Sequence, residues 1–385
     1  MSRINKIEAI PVRIPREAGA AENRLPGSHY YRSPHRGLIY SPHREALFVK
    51  ITTDDGQVGW GETLASVAPE IAAQVIRTLI EPQWIGQDPL AGEFLVTQLH
   101  RSMRDRGHFT GFFVDALAGC DNALWDLRGR LLGQPVFRLL GGPFAERIRT
   151  YQSGVEGTTP EERAASARRA VEQGFGAIKL HLTQGRTDTV ATVEAVREAV
   201  GPGIELMVDA HNIYDVAEAI QVGRELERRD VFFFEAPTDP EDVAGLAEIA
   251  ATLQVRIATG ETERSRFQFR DRLVARAVDV VQPDIGYVGL TEMRRIALLA
   301  EAFHVPIAPH VSAGMGMSIA ATLHLMASIP NGLILEHRFQ TCAAINPFLT
   351  RPIVWEDGYL RVPDGPGFGV EPKEEALRAV AIKSG

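Results

Sequence analysis

LMVDAH at 206–211, FFFEAP at 232–237 and IATGET at 257–262 are three short apolar runs that each lead to an acid: Asp209, Glu235 and Glu261. The acids are 26 residues apart twice over, which is the length of one strand, one helix and two loops. Such a period predicts parallel strands whose ends meet at one rim of a barrel, where the three carboxylates converge. Hard divalent cations such as Mg²⁺ take oxygen ligands, so a metal site is the first expectation. Acids at strand ends also cap the helices that follow, but Asp does this well and Glu poorly, and two of the three are Glu.

Outward from this triplet the same alternation continues. From Arg147 on, short apolar runs alternate with amphipathic stretches, giving eight strands that end near Tyr151, Leu182, Asp209, Glu235, Thr259, Gln282, Pro309 and Leu335, with seven helices between them. The helix after the first of these strands opens with Thr159, Pro160, Glu161 and Glu162, an N-cap, a proline at the first helical position and a capping-box acid. Residues 3–14 and 46–62 read as strands, the latter folded at Asp54, Asp55 and Gly56, and residues 69–140 read as helical. The chain thus divides into an α+β domain over 1–140, a barrel over 141–340 and a Pro- and Gly-rich tail over 341–385 that packs back on the first domain. Between Arg16 and Arg44 runs a long polar segment holding Arg24, His29, Tyr30, Arg32, His35, Arg36 and His43. It reads either as a lid whose cations grip an anionic substrate or as a solvated basic loop.

Composition narrows the function classes. A hydrophobic content of 45% and a charged content of 23% fit a soluble globular chain, with no apolar run of membrane-spanning length and no signal-peptide core, so a cytoplasmic location is expected. The net charge of −8, without any basic stripe, argues against nucleic acid as a partner. Cys120 and Cys342 are too few for a disulfide framework or a cysteine metal site.

In a parallel barrel the reactive groups stand at the C-terminal strand ends. Lys179 and His181 in AIKLHL share a face, Asp209 and His211 repeat that spacing, and Glu235, Glu261, Asp284 and His310 follow in order. Each histidine also has a plain reading as a rim hydrogen-bonding group. GMGMSIAATLHLMA after His310 lacks a phosphate-loop pattern and reads as barrel core, as does the Phe232 to Phe234 run.

These residues resemble the enolase superfamily, and within it the mandelate racemase group. The resemblance covers nearly the whole chain and rests on GWGET at 59–63, ALWDLRGRLLGQP with LLGG at 123–142, the acid triplet, QPDIGYVGL at 282–290, PHVSAG at 309–314 and Leu335-Glu336. It implies a modified (β/α)7β barrel of TIM type, capped by an α+β domain built from both chain ends, and an even-numbered homo-oligomer. Asp209, Glu235 and Glu261 resemble the ligands of one Mg²⁺ per subunit, and Asp284 with His310 resembles the His-Asp dyad. Lys179 matches the first lysine of a Lys-x-Lys pair and would support a substrate carboxylate. His181 departs from that pair, which puts a lysine base in question. His211 resembles the histidine of several acid-sugar dehydratases, where racemase-type members commonly have Asn. Glu336 resembles an acid that hydrogen-bonds the substrate carboxylate and must be protonated to do so.

The reaction this implies is removal of a proton α to a carboxylate. The second negative charge that results needs a cation, and the superfamily is a known example of a Lys or His base working with Mg²⁺. The resulting expectation is dehydration of an aldonate or aldarate to a 2-keto-3-deoxy acid. Racemisation, epimerisation or lactone cycloisomerisation through the same enediolate is the nearest alternative, since NPF at 346–348 and PDGPG at 363–367 also resemble cycloisomerases of galactarate-derived lactones. A catalytically silent metal-binding homologue is the alternative from another class.

Overall fold

Two glycines in GWGET decide how the N-terminal layer packs. In the computed structural model, which describes residues 2–15, 24–33, 37–182, 185–311 and 314–383, strand β1 (Ile4–Pro15) pairs antiparallel with β2 (His43–Thr53), and β2 with β3 (Val58–Thr63). Helix α3 (Phe112–Leu131) lies on this sheet, preceded by α1 (Pro69–Val75) and α2 (Gly92–Arg104). A Cβ at Gly61 would stand 2.2 Å from the Gly119 carbonyl, and one at Gly59 would stand 2.5 Å from Leu127 Cβ, so only glycine lets β3 press on α3. β2 is longer than the sequence pattern suggested, since its polar start at His43 and Arg44 pairs with Pro15 and Ile14.

The barrel begins with β4 (Arg147–Ser153) and proceeds through α4 (Pro160–Glu172), β5 (Ala177–His181), α5 (Arg186–Val200), β6 (Glu205–Asp209), α6 (Val216–Glu227), β7 (Val231–Glu235), α7 (Val243–Thr252), β8 (Arg256–Thr259), α8 (Arg266–Val274), β9 (Val280–Val281), α9 (Ile285–Ala302), α10 (Met317–Met326) and β10 (Leu335–His337). Neighbouring strands from β4 to β9 pair in parallel, and β10 closes the ring on β4. The capping box at Thr159 and Glu162 forms at the start of α4 as its sequence specifies. One expected strand, near Pro309, is reduced to single bridges at Ile307 and His310. The cause is local: Pro306 and Pro309 have no N–H to give to a ladder.

Eight buried residues, one from each stave, fill the barrel interior: Tyr151, Ala177, Met207, Phe233, Ala258, Val280, Ala308 and Ile334. Large and small side chains mix around the ring, so the barrel is plugged and not a pore. This apolar floor sets the phase of everything above it.

After β10 a short helix α11 (Phe339–Ile345) leads to the hairpin β11 (Trp355–Glu356) and β12 (Tyr359–Arg361), and β12 pairs antiparallel with β4. The tail therefore extends the barrel sheet before it reaches the N-terminal layer. There Val136 N–H donates to the Gly367 carbonyl, Phe368 N–H donates to Asp126, and the segment after α12 (Glu374–Ala379) bridges Ala381 to Val12 on β1. No helix among the described residues is long and apolar enough to cross a membrane.

Candidate active site

Side chains on a strand alternate faces, so the residue two beyond each floor residue also points inward. Applied stave by stave, this gives Ser153, Lys179, Asp209, Glu235, Gly260, Gln282, His310 and Glu336. Seven of the eight are polar. They form a ring above the apolar floor at the C-terminal end of the barrel.

The one glycine sets the third acid apart. Glu261 keeps the 26-residue spacing but falls one residue past the inward position, beyond β8, after Gly260 at φ +143°. Its side chain is 25% exposed, against 1% for Asp209 and Glu235. Of the three acids, two belong to the buried ring and one hangs over it.

Lys179 stands at the centre of the ring. Its Nζ lies 2.9 Å from both oxygens of Glu235, 3.7 Å from Glu336 and 3.8 Å from Asp209. Burial opposes the ammonium charge, yet Glu235 above all raises its pKa well beyond the ordinary lysine range. Gln282 donates a further 2.7 Å hydrogen bond to Glu235, which burial and the charges of Glu261 and Glu336 push upward against the pull of Lys179.

His310 is oriented by Asp284. Its Nδ1 lies 2.7 Å from Asp284 Oδ2, while Asp284 Oδ1 caps α9 by accepting from Gly286 N–H at 2.7 Å. The other ring nitrogen, Nε2, is 3.2 Å from Glu261 and 3.8 Å from Glu336. Burial alone would discharge this imidazole. The charges of Glu336 and Glu261 with the Asp284 bond outweigh it and hold the pKa up to about 10.

Glu336 is held from several sides. It accepts from the Ser153 hydroxyl and, at 2.8 Å, from Val311 N–H. Although burial favours its neutral form, Lys179 and His310 hold it well below the usual carboxylate range. These partners favour its ionised form, whereas the acid the resemblance implied takes up a proton to hold a substrate carboxylate.

His181 and His211 meet directly, Nδ1 to Nε2 at 2.9 Å, and His211 Nε2 lies 3.2 Å from Asp209 Oδ2. His181 Nε2 is 3.2 Å from Ser153 Oγ. With the Ser153 hydroxyl given to Glu336, a neutral His181 donates Nε2–H to Ser153 and accepts at Nδ1 from His211. The chain turns here in the left-handed region, at φ +50° for His211 and +61° for Asn212, steadied by a 2.9 Å bond from His211 N–H to Asp209 Oδ1. Asp209, His181 and His211 thus come together, with ligand atoms within 4.8 Å of one another.

A cavity of about 440 Å³ opens above the ring, lined by Lys179, His181, Asp209, His211, Glu261, His310 and Glu336 together with Leu38, Tyr40, Asn212, Thr262, Arg264, Tyr287 and Arg338. Among the described residues, the polar N-terminal segment reaches it through Leu38 and Tyr40 and not through His29 or His43. His29 and His43 gather instead around Glu45, which takes 2.9 Å and 2.6 Å contacts from His29 and Arg13 and a 3.0 Å bond from Tyr30. His35 and Arg36 lie outside the described residues. Ser153 and Gln282 were missed by the sequence reading, although counting two residues on from each floor position finds both.

The donor set fits a hard divalent ion. Asp209 and Glu235 at adjacent strand ends and Glu261 just past the next supply only carboxylate oxygens, and a cation among them would relieve their mutual repulsion. The imidazoles of His181 and His211 are engaged with each other.

Known proteins share this plan. Residues 162–376 match the family described as enolase C-terminal domain-like, and residues 31–141 match the mandelate racemase / muconate lactonizing enzyme N-terminal domain. The chain is 36% identical to a D-galactarolactone cycloisomerase of Agrobacterium fabrum over 87% of its own length and 90% of the relative's. It is 31% identical to an arabinonate dehydratase of Saccharolobus solfataricus over 91% and 94%. The solved structure of a member of the enolase superfamily from Agrobacterium tumefaciens superposes with a TM-score of 0.95 at 29% identity, over the whole of both chains. The chain belongs to the mandelate racemase group of the enolase superfamily.

Proposed function

We propose that the protein is a Mg²⁺-dependent dehydratase of an acid sugar, an aldonate or aldarate, yielding a 2-keto-3-deoxy acid. The observation that carries this reading is the pairing of His310 with Asp284 through Nδ1, which leaves Nε2 on the cavity, across the barrel mouth from the coupled His181 and His211. One side of the cavity can take a proton and the other can give one.

In this scheme Asp209, Glu235 and Glu261 hold the cation, which supplies the positive charge that stabilises the enediolate. Lys179 supports the substrate carboxylate beside the ring, and Glu336 hydrogen-bonds it once it has taken up a proton. Where Glu261 is engaged elsewhere, His310 loses one of the charges that keep it protonated, and Nε2 becomes available as the base for the α-proton. The β carbon–oxygen bond then breaks, its electron pair leaves with the hydroxyl, and His211 or His181 delivers the proton that makes water. The enol left behind tautomerises to the ketone. Curated relatives named as dehydratases of arabinonate and D-galactonate support the substrate class.

A second reading is favoured by one observation, the 36% identity to a lactone cycloisomerase. It uses the same base and the same enediolate, but the leaving group is a ring oxygen. Proton NMR in D₂O with Mg²⁺, run against aldonates, aldarates and their lactones, separates the two. α-Proton exchange with a new 3-deoxy methylene and release of water establishes the dehydratase. Isomerisation of a lactone without loss of water establishes the cycloisomerase, and silence with every acid leaves neither standing.

A further inference from the structure

The inward rule that produces the catalytic ring produces a second ring two residues further on. Lys179 leads to His181, Asp209 to His211, and Glu336 to Arg338, and all three outer residues line the cavity. Two of them are the paired imidazoles. The third is a guanidinium with a different situation.

Among the described residues, one lysine and two arginines line the cavity. Lys179 is taken by Glu235, and Arg264 is held by Asp115 at 2.8 Å and stacked 3.5 Å from the Tyr287 ring. Arg338 has no ion pair among the described residues, and it is exposed where it begins α11. A cation that is neither paired nor buried keeps its five donors available to a ligand.

A second cavity, of about 330 Å³, adjoins the first and shares His181 and Arg338 with it. Its wall is polar, with Gln152, Ser166 and Gln340 among its residues, and it adds a second cation, Arg169, against a single carboxylate, Glu156. A polyhydroxy chain that placed one end in the inner ring would pass the imidazole pair and reach this excess of positive charge. Two residues of extended strand separate the rings by about 7 Å, a span comparable to that between the two carboxylates of a six-carbon dicarboxylate.

We infer that Arg338 receives the far carboxylate of the substrate, so that the acid sugar is an aldarate, or a lactone retaining one free carboxylate, and not an aldonate. The inference rests on the acid-sugar reading for the identity of the chain but not for the reaction performed on it. A planar guanidinium binds carboxylate in two-point fashion, whereas a terminal hydroxyl offers it one weak acceptor. The preference for a dicarboxylate then belongs to binding and not to the chemical step.

The test is calorimetric titration of galactarate, glucarate, galactonate and gluconate into the Mg²⁺-loaded wild type, Arg338→Ala and Arg338→Lys, with kcat and KM wherever turnover occurs. The wild type should bind the aldarates more tightly than the matched aldonates by about 10- to 100-fold. Arg338→Ala should erase that ratio by weakening the aldarates far more than the aldonates, with the loss seen in the aldarate KM, and Arg338→Lys should restore part of it. Equal binding of both acid types by the wild type overturns the inference, and so does an Arg338→Ala variant that keeps the ratio or weakens both alike. If no acid turns over but the Arg338-dependent ratio is present, the subsite stands and the assigned reaction falls. If acids turn over without the ratio, the reaction stands and the subsite falls.

Discussion

The seam between the N-terminal layer and the barrel buries acids, as the polar ring does, and the two regions satisfy them in opposite ways. At the seam the partners are largely fixed backbone donors. Asp126 accepts from Trp60 and Phe368 N–H as well as Arg130, Asp121 from Thr291 N–H and hydroxyl, and Glu62 from Met315 and Ser318 N–H. Burial raises Asp121 and Asp126 to about 6 and Glu62 to about 7. In the ring the partners are mostly ionisable side chains, Lys179 and His310, which a ligand can displace or discharge. Fixed donors make a strut, and exchangeable partners make a site.

The comparison is broken most directly at His310. His310→Asn keeps a polar contact to Asp284 but cannot carry the proton, so exchange of the substrate α-proton should fall by about 10⁴-fold, with Mg²⁺ binding and thermal stability retained. Near-normal exchange in that variant would remove His310 from the mechanism. At the seam the same kind of deletion should act on stability. Asp126→Ala leaves Arg130 and two buried N–H groups without their acceptor, for an expected loss of about 3–5 kcal/mol in urea unfolding.

A pH titration sharpens the contrast. His324 on α10 accepts a 3.1 Å bond at Nδ1 from Phe137 N–H, and burial lowers its pKa from 6.5 to about 4. A depressed histidine contributes stability that is present above its unfolded pKa and lost as pH falls through the folded one. Acidification from about pH 6.5 to 4 should therefore cost about 3 kcal/mol from this residue. Chemical denaturation of the wild type and His324→Gln across that window measures it, and parallel curves for the two proteins would refute it. The smallest effect is expected for Thr291→Val, which removes a 2.8 Å bond from the Trp125 indole and a 2.7 Å bond to Asp121. Stability should drop by about 1–2 kcal/mol with exchange per folded molecule unchanged.

The stretches that make this chain recognisable are mostly seam. Gly59 and Gly61 admit α3, Trp60 and Asp126 join β3 to α3, and Asn122 ties α3 to the start of α9 through the Ile285 carbonyl and the Leu290 N–H. Their resemblance identified the fold without speaking to the reaction. Period and strand phase placed Lys179, Asp209, Glu235, His310 and Glu336 correctly at one rim. Glu261 reaches the same cavity from one residue past the inward position, after Gly260.

Sequence by itself determined the eight-stave period, the capping of α4, the close glycines and the rim where chemistry residues gather. These follow from local geometry, since helix and strand repeats act over a few residues. Tertiary structure alone decided that Lys179 sits among three acids, that Glu336 takes the Ser153 hydroxyl and the Val311 N–H, that His181 bonds His211, and that Leu38, Tyr40 and Arg338 share the cavity. Those outcomes depend on which charges burial brings within a few ångströms, and Coulomb interactions between staves distant in sequence leave no mark on either local pattern.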